Sequence, residues 1–125
     1  CRKKRNFEMY KALFEGFELG KIIDFREGTD SNKWFYSLEI NRNKVTAAMR
    51  EIITELEGRG VQTRAIWGLI NEQVPYQKES IYKLEKAPYY AARILNFPSS
   101  TQITKDEIKY VATQIRETLE RFSYE

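Results

Sequence analysis

A chain of 125 residues with 42% hydrophobic and 31% charged content supports one ordinary soluble core and not comfortably two. Its 21 Lys and Arg against 18 Asp and Glu leave a formal charge of only +3, too weak for a general attraction to nucleic acid or a membrane surface. Any anionic ligand therefore has to be held locally.

No run approaches the length of a membrane span, and Glu8, Lys11 and Glu15 break the apolar region that a secretory signal requires. The lone cysteine, Cys1, cannot form an internal disulfide, so an exposed thiol in a reducing, cytoplasmic compartment is expected. The cations Arg2 to Arg5 sit where a new helix would place its positive dipole end. They fit the interior of a longer helix better, and the chain is expected to be part of a longer one. As a contact surface the same run reads as a solvated helix face rather than a nucleic-acid site.

In chain order, Phe7, Tyr10, Phe14 and Phe17 fall at helical spacing, which predicts a helix from Arg5 to about Phe17, with Gly16 and Gly20 as breakers. Lys21 to Phe25 reads as a short strand, and the polar run Arg26 to Asn32 as a loop. Lys33 to Ile40 is rich in aromatic and β-favouring residues and reads as a strand, with Trp34, Phe35 and Tyr36 assigned to sheet packing. Val45, Ala48, Met49, Ile52, Ile53 and Leu56 make an apolar stripe for a helix over Asn43 to Glu57, closed by Gly58 and Gly60.

Val61 to Ile66 then reads as a strand entering a long connection. A short helix is expected over Lys86 to Arg93, with Pro88 in its first turn. Ile94 to Phe97, just before Pro98, reads as an edge strand. Thr104 and Glu107 have the spacing of a capping box opening a last helix, striped by Ile108, Val111, Ala112, Ile115, Leu119 and Phe122. This order predicts one α+β domain over residues 1–125, a small open, mainly antiparallel sheet with helices packed on one side.

The chemistry lies in the connection that begins GVQTRAIWGLINEQVPYQ at Gly60. Long connections without periodicity are uncommon in small domains and often functional. Arg64 stands where a strand runs into it, and a planar guanidinium suits a bidentate grip on carboxylate or phosphate, or equally a structural ion pair. Trp67 and Tyr76 are candidates for stacking on a ring or for core packing. Asn71 and Gln73 can read hydroxyls and amides of a ligand or satisfy turn backbone.

With no histidine and one cysteine, neither a metal site nor a nucleophile with its base is expected. Gly58-Arg59-Gly60 ends a helix and is read as a stop, not as half of a phosphate loop. One alternative is a non-enzymatic α+β module whose aromatic loop grips protein or single-stranded nucleic acid. The weak net charge and the acidic Glu72 and Glu79 argue against it.

The run GVQTRAIWGLINEQVPYQ followed by KAPYYAARILNFPSSTQITKDEIKYVATQI resembles the carboxy-terminal region of DegT-type sugar aminotransferases. The likeness rests on a TR-x-x-W element, a Pro-Tyr a few residues on, an R-x-L-x-x-P step and a T-x-D-E-I-x-x-V helix. YKALFEG, SNKWFYSLEI and AMREIITELEGRGVQTR follow in the same family order, and enzymes making legionaminic-acid-type precursors are the nearest subfamily in flavour.

The resemblance implies a pyridoxal-phosphate enzyme acting on a nucleotide-linked keto-sugar, commonly a homodimer, whose cofactor is held on a lysine of a large domain with no counterpart here. It implies that this chain is the small domain, inactive alone and with no cofactor bound to it. Arg64, Trp67 and the loop through Tyr76 would then face the sugar nucleotide. Many relatives carry a histidine after the tryptophan where this chain runs Gly68 to Gln73, so Asn71 and Gln73 stand as its replacements.

Overall fold

The computed structural model describes residues 2–124; the thiol expected at Cys1 lies outside the described residues. Helix α1 spans Arg2–Leu13, strand β1 Gly20–Ile22, strand β2 Tyr36–Ile40 and helix α2 Met49–Gly58. Strand β3 is the short pair Arg64–Ala65, followed by helical turns at Ile70–Glu72 and Val74–Tyr76. Helix α3 covers Lys86–Ala91, strand β4 Ile94–Phe97 and helix α4 Lys105–Arg121. Among the described residues no helix is long and apolar enough to cross a membrane, and no cluster of His, Cys, Asp or Glu could hold a metal.

The strands form one sheet in the order β1-β2-β4-β3, every neighbouring pair antiparallel. Successive strand residues point to opposite faces. In β2 the buried Tyr36, Leu38 and Ile40 alternate with the half-buried Ser37 and Glu39. Tyr36, Leu38 and Ile40 join Leu95 and Phe97 of β4 in a core with Phe7, Tyr10 and Phe14 of α1, Ile52 and Leu56 of α2, and Ile108, Ile115 and Leu119 of α4. The three long helices thus cover one face, the expected α+β layer arrangement.

Tyr10 and Phe97 meet edge to face at 4.7 Å, and Tyr10 lies 5.5 Å from Tyr36. Burial, then the nearby Tyr36, pushes the Tyr10 hydroxyl well above the ordinary phenol range, so it remains neutral in the core.

Both ends of the helical layer follow sequence chemistry. Thr104 Oγ1 accepts from the Glu107 N–H at 3.2 Å, and the Glu107 carboxylate accepts from the Thr104 N–H at 2.7 Å, closing the capping box of α4. At the end of α2, Gly60 sits at φ +76°, its N–H donates to Glu57 O and the Val61 N–H to Leu56 O, both at 2.9 Å. This is the Schellman stop, which needs a left-handed residue after the cap.

Several elements differ from expectation. Ile94–Phe97 is not an edge strand but lies between β2 and β3, because Pro98 falls just beyond the last pair and its missing N–H interrupts no ladder. The strand expected from Lys33 starts at Tyr36, since Lys33 adopts φ +53° and turns the chain. Trp34 is 63% exposed and Phe35 37%, so only Tyr36 of the three packs in the core. Helix α2 starts at Met49 rather than Asn43, because Asn41 Oδ1 accepts the Asn43 N–H in a turn and Val45 bridges to Ser123 instead. The strands expected over Lys21 to Phe25 and Val61 to Ile66 shorten to Gly20–Ile22 and Arg64–Ala65, each pairing on one side only.

Gly60→Ala should lower stability by ~1 kcal/mol through its left-handed backbone alone, since a Cβ there meets nothing within 4 Å. Gly58→Ala, also in open space but within α2, should raise it by up to ~1 kcal/mol. Urea unfolding of both variants checks this opposition of sign.

Candidate functional site

The face of the sheet away from the long helices carries a polar row fixed by strand register. Ser37 stands opposite Asn96, and Asn96 opposite Arg64. Ser37 Oγ donates to Asn96 Oδ1 at 2.6 Å, which leaves the Asn96 amide nitrogen as a donor. At the Arg64 end of this row a groove of about 520 Å³ is lined by Phe35, Gln62, Arg64, Trp67, Asn96 and Ser99, among others. None of the ion pairs among the described residues includes Arg64. Its guanidinium is thus available for an anion beside an aromatic surface.

The groove brings together Arg64 and Trp67 of the five residues singled out from sequence; Asn71, Gln73 and Tyr76 lie outside its lining. They belong to the arm that follows it. Within that arm Gln73 folds back on the chain, its Nε2 reaching within 3.1 Å of the position a Cβ would take at Gly68. The Tyr76 N–H donates to Gln73 O at 2.8 Å, and Tyr76 remains half exposed.

Phe35, Gln62, Asn96 and Ser99 are lining residues that sequence reasoning missed. A signal was present for Asn96, the one polar residue in the strand Ile94-Leu95-Asn96-Phe97, which marks the face left uncovered.

The loop that delivers Phe35 is tied to α1. Lys11 and Lys33 both bond the Asp24 carboxylate, which also accepts the Phe25 N–H at 2.8 Å. These bonds, that of Lys11 foremost, hold the Asp24 carboxyl down at about 2. The Lys33 ammonium lies 4.0 Å from the Phe7 ring centroid and 4.2 Å from that of Phe25. Lys4 pairs with Asp30, and Trp34 O accepts from both Lys3 Nζ at 3.0 Å and Ser99 Oγ at 2.8 Å.

A second cleft, about 500 Å³, lies at the other end of the open face between Lys21, Glu39, Arg42, Tyr89 and Arg93. Its arginines are already engaged. Arg42 donates to Ala92 O at 2.8 Å and Ala47 O at 2.6 Å, and Arg93 stacks 3.8 Å over the Tyr89 ring while bonding Tyr89 O. Tyr89 in turn donates to Glu39 at 2.9 Å. This cleft reads as the seam that holds α3 to the sheet.

A profile of the DegT/DnrJ/EryC1/StrS aminotransferase family matches residues 1–116. The chain belongs to this family. Among solved structures, this family member is similar to DesI, described in the presence of its TDP-sugar product, at 26% identity and TM-score 0.87. It is also similar to Helicobacter pylori PseC, an aminotransferase involved in the biosynthesis of pseudoaminic acid, at 18% identity and TM-score 0.85. TlmJ from Streptoalloteichus hindustanus follows the same fold at 17% identity and TM-score 0.81. The matches cover 96%, 97% and 96% of this chain but only 31%, 33% and 31% of those proteins, so it spans about a third of their length. No curated protein matches it.

Because Asp24 is held below the ordinary aspartate range, its ties are complete above pH about 4 and are lost as pH falls through about 2. In a Trp67→Phe background, acrylamide quenching of Trp34 should therefore stay flat above pH 4 and rise below it. Asp24→Asn should show the raised quenching already at neutral pH, with far-ultraviolet dichroism unchanged in both.

Proposed function

We propose that the chain is the carboxy-terminal small domain of a pyridoxal-phosphate-dependent aminotransferase acting on a nucleotide-linked keto-sugar in cell-surface sugar biosynthesis. The observation that carries this reading is the Arg64 guanidinium, in no ion pair among the described residues, beside Trp67 on the open sheet face of an aminotransferase-family chain. DesI with its TDP-sugar product and PseC with its place in pseudoaminic acid biosynthesis support the substrate class. The complete enzyme is a cytoplasmic homodimer on this reading, with legionaminic-acid-type precursors as its substrate branch. Membership of an aminotransferase family leaves the binding-module alternative without support.

Enzymes of the family depend on pyridoxal phosphate, which supplies the electron sink for moving an amino group. The residues of this chain do not by themselves fit that cofactor. No lysine lines the Arg64 groove, and Lys33, with a side chain only 12% exposed, is committed to Asp24 and to the Phe7 and Phe25 rings. The work assigned to this chain is substrate binding. Arg64 neutralises an anionic group of the ligand, the Asn96 amide donates a hydrogen bond, and the aromatic walls exclude water and strengthen both contacts. Asn71, Gln73 and Tyr76, carried by the arm, complete the contacts to the sugar nucleotide.

In the full-length enzyme Arg64→Ala should raise KM for the nucleotide sugar roughly 10- to 100-fold, the loss of a charged hydrogen bond. The cofactor absorbance should remain unchanged. Unaltered sugar kinetics would leave Arg64 a structural residue and sink its assignment.

The isolated 125-residue chain should catalyse no amino transfer to a keto-sugar nucleotide and give no borohydride-fixed cofactor adduct. Either activity in the purified chain would overturn the assignment as a small domain.

A further inference from the structure

The reading above leaves the stacked pair Trp34 and Phe35 unused. Their ring centroids lie 4.6 Å apart at 26°, both rings are exposed, and Phe35 lines the Arg64 groove. We propose that Phe35, backed by Trp34, is a specificity-determining wall of this groove that stacks on the nucleobase of a nucleoside diphosphate while Arg64 takes its phosphates. This rests on the nucleotide-sugar reading and names the part of the ligand that the groove recognises.

Aromatic rings at the wall of a groove offer a face for stacking, and the backbone of this pair is tied down by its neighbours. The Trp34 carbonyl is bonded by Lys3 and by Ser99, itself a lining residue, and the Trp34 N–H donates to Asn32 Oδ1 at 3.0 Å. The neighbouring Lys33 is pinned between two phenylalanine rings and Asp24. A wall fixed before the ligand arrives loses little conformational freedom on binding.

The chemistry of the lining then selects the ligand. A guanidinium with no ion-pair partner among the described residues wants an anion, and two aromatic side chains, Phe35 and Trp67, line the groove beside it. The Asn96 amide nitrogen and Gln62 supply polar contacts for a group that is neither purely charged nor purely apolar. A planar heterocycle joined to a diphosphate meets all of these. A bare phosphate or a sugar phosphate leaves the Phe35 wall uncovered.

The test measures binding of uridine and thymidine diphosphates and of pyrophosphate to the full-length, cofactor-loaded enzyme by calorimetry. Phe35→Leu should weaken both nucleotides ~10-fold or more while leaving pyrophosphate unchanged, and Phe35→Tyr should restore them. Arg64→Ala should weaken nucleotide and pyrophosphate alike. Equal loss of nucleotide and pyrophosphate in Phe35→Leu, or no loss of either, overturns the stacking wall.

If Arg64→Ala weakens nucleotide binding while Phe35→Leu does not, the groove reading stands and only this inference falls. If Arg64→Ala leaves nucleotide binding untouched, the groove reading falls as well. Should Phe35→Leu fail to fold, saturation transfer from the unmodified enzyme decides: strong transfer to nucleobase protons that drops on deuterating the phenylalanine rings supports stacking. Transfer unchanged by that deuteration overturns it.

Discussion

The arrangement of this molecule depends on the two-residue period of its central strands. In β2 and β4 the large apolar residues Tyr36, Leu38, Ile40, Leu95 and Phe97 point to the helices. Ser37, Glu39 and Asn96 point the other way. The pairing of Tyr36 with Phe97 and of Leu38 with Leu95 locks that alternation across the two strands. A slip of one residue would carry every core side chain to the polar face, so register is strongly specified here. The same register sets Arg64 opposite Asn96 and Asn96 opposite Ser37. The groove is a consequence of the core.

Several arginines among the described residues serve as ties between elements, and Arg64 does not. Arg59 bonds Glu55, Gln114 and Glu117, each at 3.0 Å, and Arg121 also reaches Glu55, so charge joins the end of α2 to α4. Arg116 donates to Leu13 O at 2.9 Å and covers the Phe17 ring, joining α4 to the end of α1. Exposed pairs of this kind contribute little stability each, and their effect is to fix helix orientation. Arg42 and Arg93 serve the seam at α3 in the same manner. Among the described residues Arg2, Arg26 and Arg50 also lack a side-chain partner, and what sets Arg64 apart from them is its place in the groove where the sheet is open.

Much of this was legible in the sequence because it is local or periodic. The α4 stripe and its Thr104–Glu107 cap, the Gly60 stop and the burial of Tyr36 follow from spacing and backbone chemistry. The interior place of β4 was not legible, since a following proline restricts a strand only if it falls within the paired residues. Trp34 and Phe35 misled for a related reason. Aromatic, β-favouring composition says nothing about the turn at Lys33, which is held by a tertiary sandwich between Phe7 and Phe25. Strand order likewise depends on contacts far apart in sequence, so Phe35 and Ser99, which line the groove with Arg64, had no local signature, and Asn96 showed only which face of its strand is uncovered.

The arm beyond Trp67 shows the opposite balance of forces. Ile70, Val74, Ile81 and Tyr82 are all largely exposed, and residues 72–87 contribute nothing to the core. Its order rests on short-range bonds such as Gln77 Nε2 to Glu72 O at 3.1 Å and on the Gln73 contact at Gly68. Such bonds are individually worth about 1 kcal/mol, comparable to the entropy of fixing one residue's backbone. The segment thus presents its apolar side chains outward instead of burying them in the core. Asn71, Gln73 and Tyr76 stand on this arm and outside the strand register that sets the row across the sheet. The row across the sheet is fixed by strand register and the loop bearing Phe35 by the Lys33 clamp, whereas the arm is held by short-range bonds.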